Sequence, residues 1–427
     1  MFASLSSGPQ SRGVALSTPP PLTRVDALAV WKAFLPRVQE YASRRNYVEA
    51  GHGNVSQLST ALRYRLLTED EVIRDTLAWR GFDAAEKWLQ EVCWRRYWKG
   101  WLEMRPQVWS SWRRRVRDLR RSLSAADLQK VEDVAAGRSG VACMDKLARE
   151  LIETGYLHNH ARMWWASFWT HAEGLPWELG ADFFFRHLLD ADPASNTRSW
   201  RWVAGLQTPG KNYLIRLSNL EKFADAYLLR EPQGSQRLAD GEVQPSLQNE
   251  HADTTKHPLS EHPNSLPEPL GRRGLWLHAD DLLPELGPLA GGGPVAVAAF
   301  TSAQTCRERY RLAEHRIRAL RTVLADGIAR AGAHYDCPAS LNEVTDTTAG
   351  ILAWARSQQL TEVLAFAPTV GPVLDLVPNL SKQLAALNIR MTLIRRDSDA
   401  HAFRLANAGF FPFWEKMSRH LRTISSA

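Results

Sequence analysis

Only four cysteines, Cys93, Cys143, Cys306 and Cys337, occur in 427 residues, and none stands at C-x-x-C spacing from another. So sparse a set excludes a disulfide scaffold and suits a reducing compartment. It equally leaves a four-cysteine iron–sulfur centre unsupported. No histidine joins these residues at zinc spacing, so no metal site is predicted. No apolar run approaches the length of a membrane span, and the N-terminus lacks the charged-then-apolar order of a signal peptide. A cytoplasmic protein without membrane contact is expected. The C-terminal half has neither G-x-G-x-x-G nor a Walker pattern, so no nucleotide motif can be assigned there.

Tryptophan, by contrast, is abundant: 17 residues, where Trp is normally the rarest type. Such an excess builds a large aromatic core, a stacking platform for bases or a path for electrons, and composition does not choose among them. Lysine and arginine exceed aspartate and glutamate by 53 − 46 = +7. That modest basic excess permits nucleic-acid binding without demonstrating it. The length allows two or three domains with cores of their own.

Residues 1–24 are rich in Ser, Gly and Pro and read as a disordered tail. Helical periodicity dominates 25–229, beginning with Ala29, Trp31, Phe34, Leu35 and Val38. Residues 230–273 lose periodicity and read as a linker. From 274 to 427 short apolar runs (Pro294–Phe300, Val363–Ala367, Arg390–Ile394) alternate with helical stretches. That alternation predicts a smaller, doubly wound α/β domain with a parallel sheet. The fold expected is an all-α domain followed by this α/β domain.

Three segments of the helical part carry unusual chemistry. In the long helix predicted over 84–102, Glu91, Trp94, Arg95 and Trp98 share one face. Ser56 and Ser59 precede a predicted helix, where hydroxyls and free N–H groups bind phosphate or simply cap the helix; spacing alone favours capping. Asp190 to Trp202 packs two carboxylates, an amide, two Trp and two Arg into thirteen residues. A surface loop would not carry two Trp, nor an ordinary core this much charge; a flat polar ligand accounts for both. A fourth stretch, Arg105–Lys130, interleaves Arg with Trp109 and Trp112. It suits a phosphate backbone, although a charge run is usually a solvated helix face.

These segments resemble the flavin-contacting signatures of the photolyase/cryptochrome family. Asp190–Trp202 resembles its D-G-D-x-A-x-N-x-x-x-W-x-W pattern. Val55–Ser59 is similar to T-S-x-L-S, with Val55 in place of Thr. Gly155–Met163 is similar to G-W-x-H-N-x-x-R-M, with Tyr156 in place of Trp. The α/β part resembles, more weakly, the family's antenna domain, placed after the flavin domain instead of before it.

The resemblance implies an FAD cofactor held by Tyr41, Ser56, Gln57, Leu58, Ser59, Arg95, Tyr156, Arg162, Asp190, Asp192 and Asn196, with Arg162 paired to Asp190. It leaves a second, antenna chromophore unidentified. It places Arg45, Glu91, Trp94, Asn159, Met163 and Trp202 on damaged DNA. Glu91, Asn196, Trp200 and Trp177 then carry the catalysis, the two Trp as electron relay. Thr197, Arg198 and Ser199 replace the family's N-G-G, and Ser124 falls near the outermost relay Trp. Trp101, Trp109 or Trp112 would have to replace it.

The activity implied is light-dependent repair of cyclobutane pyrimidine dimers by a deoxyribodipyrimidine photo-lyase, working as a monomer. A cryptochrome-like photoreceptor without repair and a nucleic-acid-binding protein with a relic pocket are the alternatives. No histidine-rich pocket pattern is evident, which favours the dimer over the 6-4 lesion, though His158 and His160 keep the latter in view.

Overall fold

The computed structural model describes residues 19–207, 212–238 and 253–426. Most of the expected tail and part of the expected linker, 239–252, lie outside the described residues. Residues 19–24 are placed: Thr23 caps the first helix, Arg24–Phe34, and the Arg24 guanidinium pairs with Glu71 at 2.7 Å.

Helices make up the first part, and local chemistry sets their ends. Thr68 and Glu71 form a reciprocal capping box at the start of Glu69–Arg80, satisfying two otherwise orphaned N–H groups. Asp192 caps Pro193–Val203, whose first position carries the proline that a helix tolerates there. Glu86–Glu103 packs against helices of both parts, 193–203 and 397–405. Trp88, Leu89, Val92 and Cys93 are buried on it, while Glu91, Trp94, Arg95 and Trp98 share the remaining face.

Five parallel strands follow in the order β3-β2-β1-β4-β5: β1 Arg273–Leu277, β2 Ala296–Thr301, β3 Ala339–Glu343, β4 Glu362–Phe366 and β5 Arg390–Ile394. Leu275 sits between Val297 and Leu364, and all three are buried. The sheet is doubly wound, as expected from the alternation. Strand β3 was not expected. Its sequence, Ala-Ser-Leu-Asn-Glu, is half-buried at an edge and has no apolar run.

The two parts share a core. Helix Asp397–Leu405 lies against helix 86–103 at Gly100, where a Cβ would stand 2.7 Å from the Phe403 Cα. Phe403 and Phe413 belong to the same apolar cluster as Trp88 and Trp101. The described residues of the expected linker are tied down as well. The His257 N–H donates to Met104 O at 2.8 Å, Arg105 donates to Thr254 O, and Arg395 donates to Ser260 O. Side chains from both parts thus satisfy this segment's backbone, which removes the freedom its composition suggests.

Part of the basic stretch is engaged within the protein. In helix Gln107–Ser122, Arg113 and Arg120 reach Asp182, and Arg115 reaches Glu178; both acids are buried on helix Trp177–His187. These arginines join two helices instead of presenting a free phosphate-binding face. Among the described residues no helix is long and apolar enough to cross a membrane.

Candidate functional site: an aromatic and charged cavity

A cavity of about 770 Å³ opens between helix 86–103, the short helix Ser59–Tyr64, helix Asn159–Ser167 and helix 193–203. Every residue that the family resemblance assigns to cofactor, lesion or catalysis lines it, except Trp177. Trp177 is buried elsewhere, with the Arg201 guanidinium 5.8 Å from its ring centre. Trp200 does line the cavity, and its ring meets Trp165 edge-on at 6.2 Å, with Trp169 a further 5.1 Å from Trp165. Ser124, at the position suggested for an outer Trp, is only the exposed cap of helix Ala125–Ala135.

Ionic contacts form the floor. Arg162 donates to Asp190 at 2.9 Å and, through Nε, to Leu157 O at 2.9 Å. Burial works to raise the Asp190 carboxyl, but the guanidinium outweighs it and holds the group below its ordinary value. One oxygen of Asp192 accepts from Ala194 N–H at 2.9 Å and Ser195 N–H at 3.0 Å. The other faces Lys99 at 3.8 Å and Arg63 at 3.9 Å. Against the upward push of burial, those two cations hold Asp192 down at about 2. Asp192 therefore caps a helix at the same time as it borders the cavity. The Asn196 amide nitrogen is committed to Ala181 O at 2.9 Å, which fixes that side chain in the wall.

The mouth is aromatic and more open. Glu91 pairs with Arg45 at 2.6 Å and Lys87 at 3.2 Å. Trp94 and Trp98 lie beside each other, and Trp202, 37% exposed, stands over Tyr213. His158 and His160 also line the cavity, with His52 behind His158 at 5.8 Å. The two histidines named from the sequence, His158 and His160, thus both border the cavity. Burial pushes His158 down to about 3. Its Nδ1 accepts from the His160 N–H at 3.1 Å, so the neutral ring carries its proton on Nε2.

Sequence reasoning missed Lys87, Tyr213, Asn219 and Phe411 as cavity residues. Lys87 could have been found, since it lies one helical turn before Glu91 on the same face. Phe411 could not, because no local signal links it to residues of the first helices.

Several buried polar atoms on the wall have no hydrogen-bond partner among the described residues. They include Gln57 Oε1, Arg95 Nη2, His158 Nε2 and Trp200 Nε1. Buried polar groups are nearly always paired, so these atoms await an occupant with both donors and acceptors. With the flat aromatic walls, this donor set fits a flavin dinucleotide: a planar ring edged with acceptors and N–H groups, joined to a polar chain. Ser56 and Ser59 line the cavity at the start of helix 59–64.

Comparison with known proteins agrees. Residues 88–228 match the family described as the FAD binding domain of DNA photolyase. The deoxyribodipyrimidine photo-lyase of Vibrio cholerae is 27% identical over 186 residues, covering 42% of this chain and 38% of that protein. That of a Thermus thermophilus strain is 32% identical over 202 residues, covering 44% of each. The chain thus spans less than half the length of these curated relatives. Two solved structures overlap 56% of this chain and 53% of their own: a class III photolyase from Agrobacterium tumefaciens (TM-score 0.41, 22% identity) and the Synechocystis sp. PCC6803 cryptochrome (0.42, 18%). Over residues 88–228 the chain is thus similar to the FAD binding domain of DNA photolyase.

Proposed function

We propose that the protein is a light-dependent DNA-repair enzyme, a deoxyribodipyrimidine photo-lyase acting on cyclobutane pyrimidine dimers. The observation that carries this reading is the convergence of Arg45, Glu91, Trp94, Asn159, Met163 and Trp202, from four separate segments, on the cavity whose floor is the Arg162–Asp190 pair. Bound FAD would supply the light absorption and the electron lent to the lesion and then returned, with no net redox change.

The chain's own residues do the rest. Trp94 and Trp202 offer faces on which an extruded dimer stacks, and damaged bases leave the duplex at least cost. Glu91 offers carboxylate oxygens to the N–H edge of the lesion, oriented by Arg45 and Lys87. Asn159 and Met163 fill out the walls around it. Asn196 presents an amide, which neither gives nor takes a proton near neutral pH, and so favours an anionic reduced flavin beside it. Arg162 keeps Asp190 ionised as an acceptor for the cofactor's ring edge.

Repair of dimer-containing single- and double-stranded DNA under blue light, against a dark control, tests the proposal. Light-dependent loss of dimers supports it. Photoreduction of bound FAD with no loss of dimers leaves a cryptochrome-like photoreceptor instead, and a purified protein without flavin leaves a nucleic-acid-binding protein.

A further inference from the structure

Open α/β sheets take their ligands in the crevice beyond the carboxyl ends of the two strands where the winding direction reverses. In this sheet those strands are β1 and β4, and the crevice lies between residues 278–281 and 367–371. We infer that the crevice is filled from within the chain, by Arg63 and Pro193, and that through them the α/β part fixes the backbone 190–195 under the cavity.

Arg63, 5% exposed, enters from helix 59–64 and meets the Asp280 carboxylate at 3.0 Å and Ala279 O at 3.3 Å. The same guanidinium donates to Ala191 O at 3.4 Å and stands 3.9 Å from Asp192. Asp280 is held in turn by the Thr369 N–H at 3.2 Å, from the other lip of the crevice. Pro193 closes what remains: a Cβ on Gly371 would stand 2.6 Å from the Pro193 Cγ, and Gly371 has a φ of +153°. The Pro193 ring therefore already occupies the space against the Gly371 backbone. A guanidinium shared by carboxylates of the two parts is strongly restrained, because losing either carboxylate strands a buried charge. Arg63 and Asp280 are therefore positioning residues for the cavity floor.

The test uses the full-length protein and two readouts: FAD affinity, and hydrogen exchange of the Ala194 and Ser195 amides that Asp192 caps. Asp280→Asn is expected to weaken FAD binding about tenfold and speed that exchange by a similar factor. Arg273→Met breaks a buried pair at the opposite end of β1 (2.7 Å to Glu362) and lowers Tm while leaving both readouts in place. Should Asp280→Asn not fold, Gly371→Ala replaces it, pressing on Pro193 without altering a charge, with the same expected effects. The inference is overturned by a folded variant whose FAD affinity and exchange match wild type. It is equally overturned by stoichiometric AMP binding to FAD-loaded wild type that Gly371→Ala abolishes. The FAD arm rests on the proposed reading of the cavity. If wild type takes up no FAD, that reading fails, and the exchange arm alone decides the inference.

Discussion

Phe410 lies face to face on Trp94, ring centroids 3.6 Å apart and planes 7° from parallel. Phe410 opens the last helix, Phe410–Ser426, so the C-terminal end of the α/β part builds one wall of the cavity, and its neighbour Phe411 reaches the lining. Phe410→Ala empties a buried site and is expected to cost about 3–5 kcal/mol. Denaturant unfolding measures this, and Trp fluorescence should report a changed environment for Trp94.

The Arg162–Asp190 pair gives the sharpest test of the floor. Arg162→Ala strands a buried carboxylate, an effect of about 3–5 kcal/mol. Purified Arg162→Ala should carry far less flavin than wild type, read from visible absorbance. Full flavin content in that variant would remove the pair from the cofactor's site.

Two groups of the cavity contribute to the acid limb of stability. Asp192 is depressed from 3.8 to about 2, so its contribution is present above the unfolded value and lost as pH falls from about 4 toward 2. His158 is depressed from 6.5 to about 3, because burial opposes its charge. The unfolded chain therefore binds a proton there first, and stability declines as pH drops below about 6.5. Asp192→Asn should flatten the curve between pH 4 and 2, and His158→Asn between about 6.5 and 3. Stability measured against pH checks both.

At the mouth, Trp202→Ala should weaken binding of a dimer-containing oligonucleotide by about 1–3 kcal/mol with flavin content unchanged. Glu91→Ala should slow light-driven dimer loss about tenfold or more, again in a flavin-loaded protein. Fluorescence anisotropy and dimer quantification distinguish the two effects.

Helix 107–122 supplies a negative prediction. Arg113 is engaged with Asp182 and with Arg309 O, so Arg113→Ala should lower stability yet hardly change how DNA affinity varies with salt. A true phosphate contact would reduce that slope by about 0.9.

How far the sequence could be read follows from the range of each interaction. The face carrying Glu91, Trp94, Arg95 and Trp98 was legible because helical spacing is local, whereas for Asp192 the resemblance implies a cofactor contact and not its helix cap. The Arg162–Asp190 pair was legible only through the family pattern. The pairing of Arg113, Arg115 and Arg120 was not legible because their carboxylates, Glu178 and Asp182, lie far along the chain. Edge strand β3 lacked an apolar run, and Phe411 reaches the cavity only through tertiary packing. Trp177, which the resemblance gives to the electron relay, lies buried beside Arg201 and away from the cavity.

The Phe410–Trp94 stack also bears on biosynthesis. A ribosome delivers the N-terminal helices first, and they emerge with one side of their aromatic cavity uncovered. That side closes only after residue 410 has left the exit tunnel. A complete cavity wall accordingly exists only once the chain has been synthesised through residue 410, and until then one face of Trp94 is uncovered.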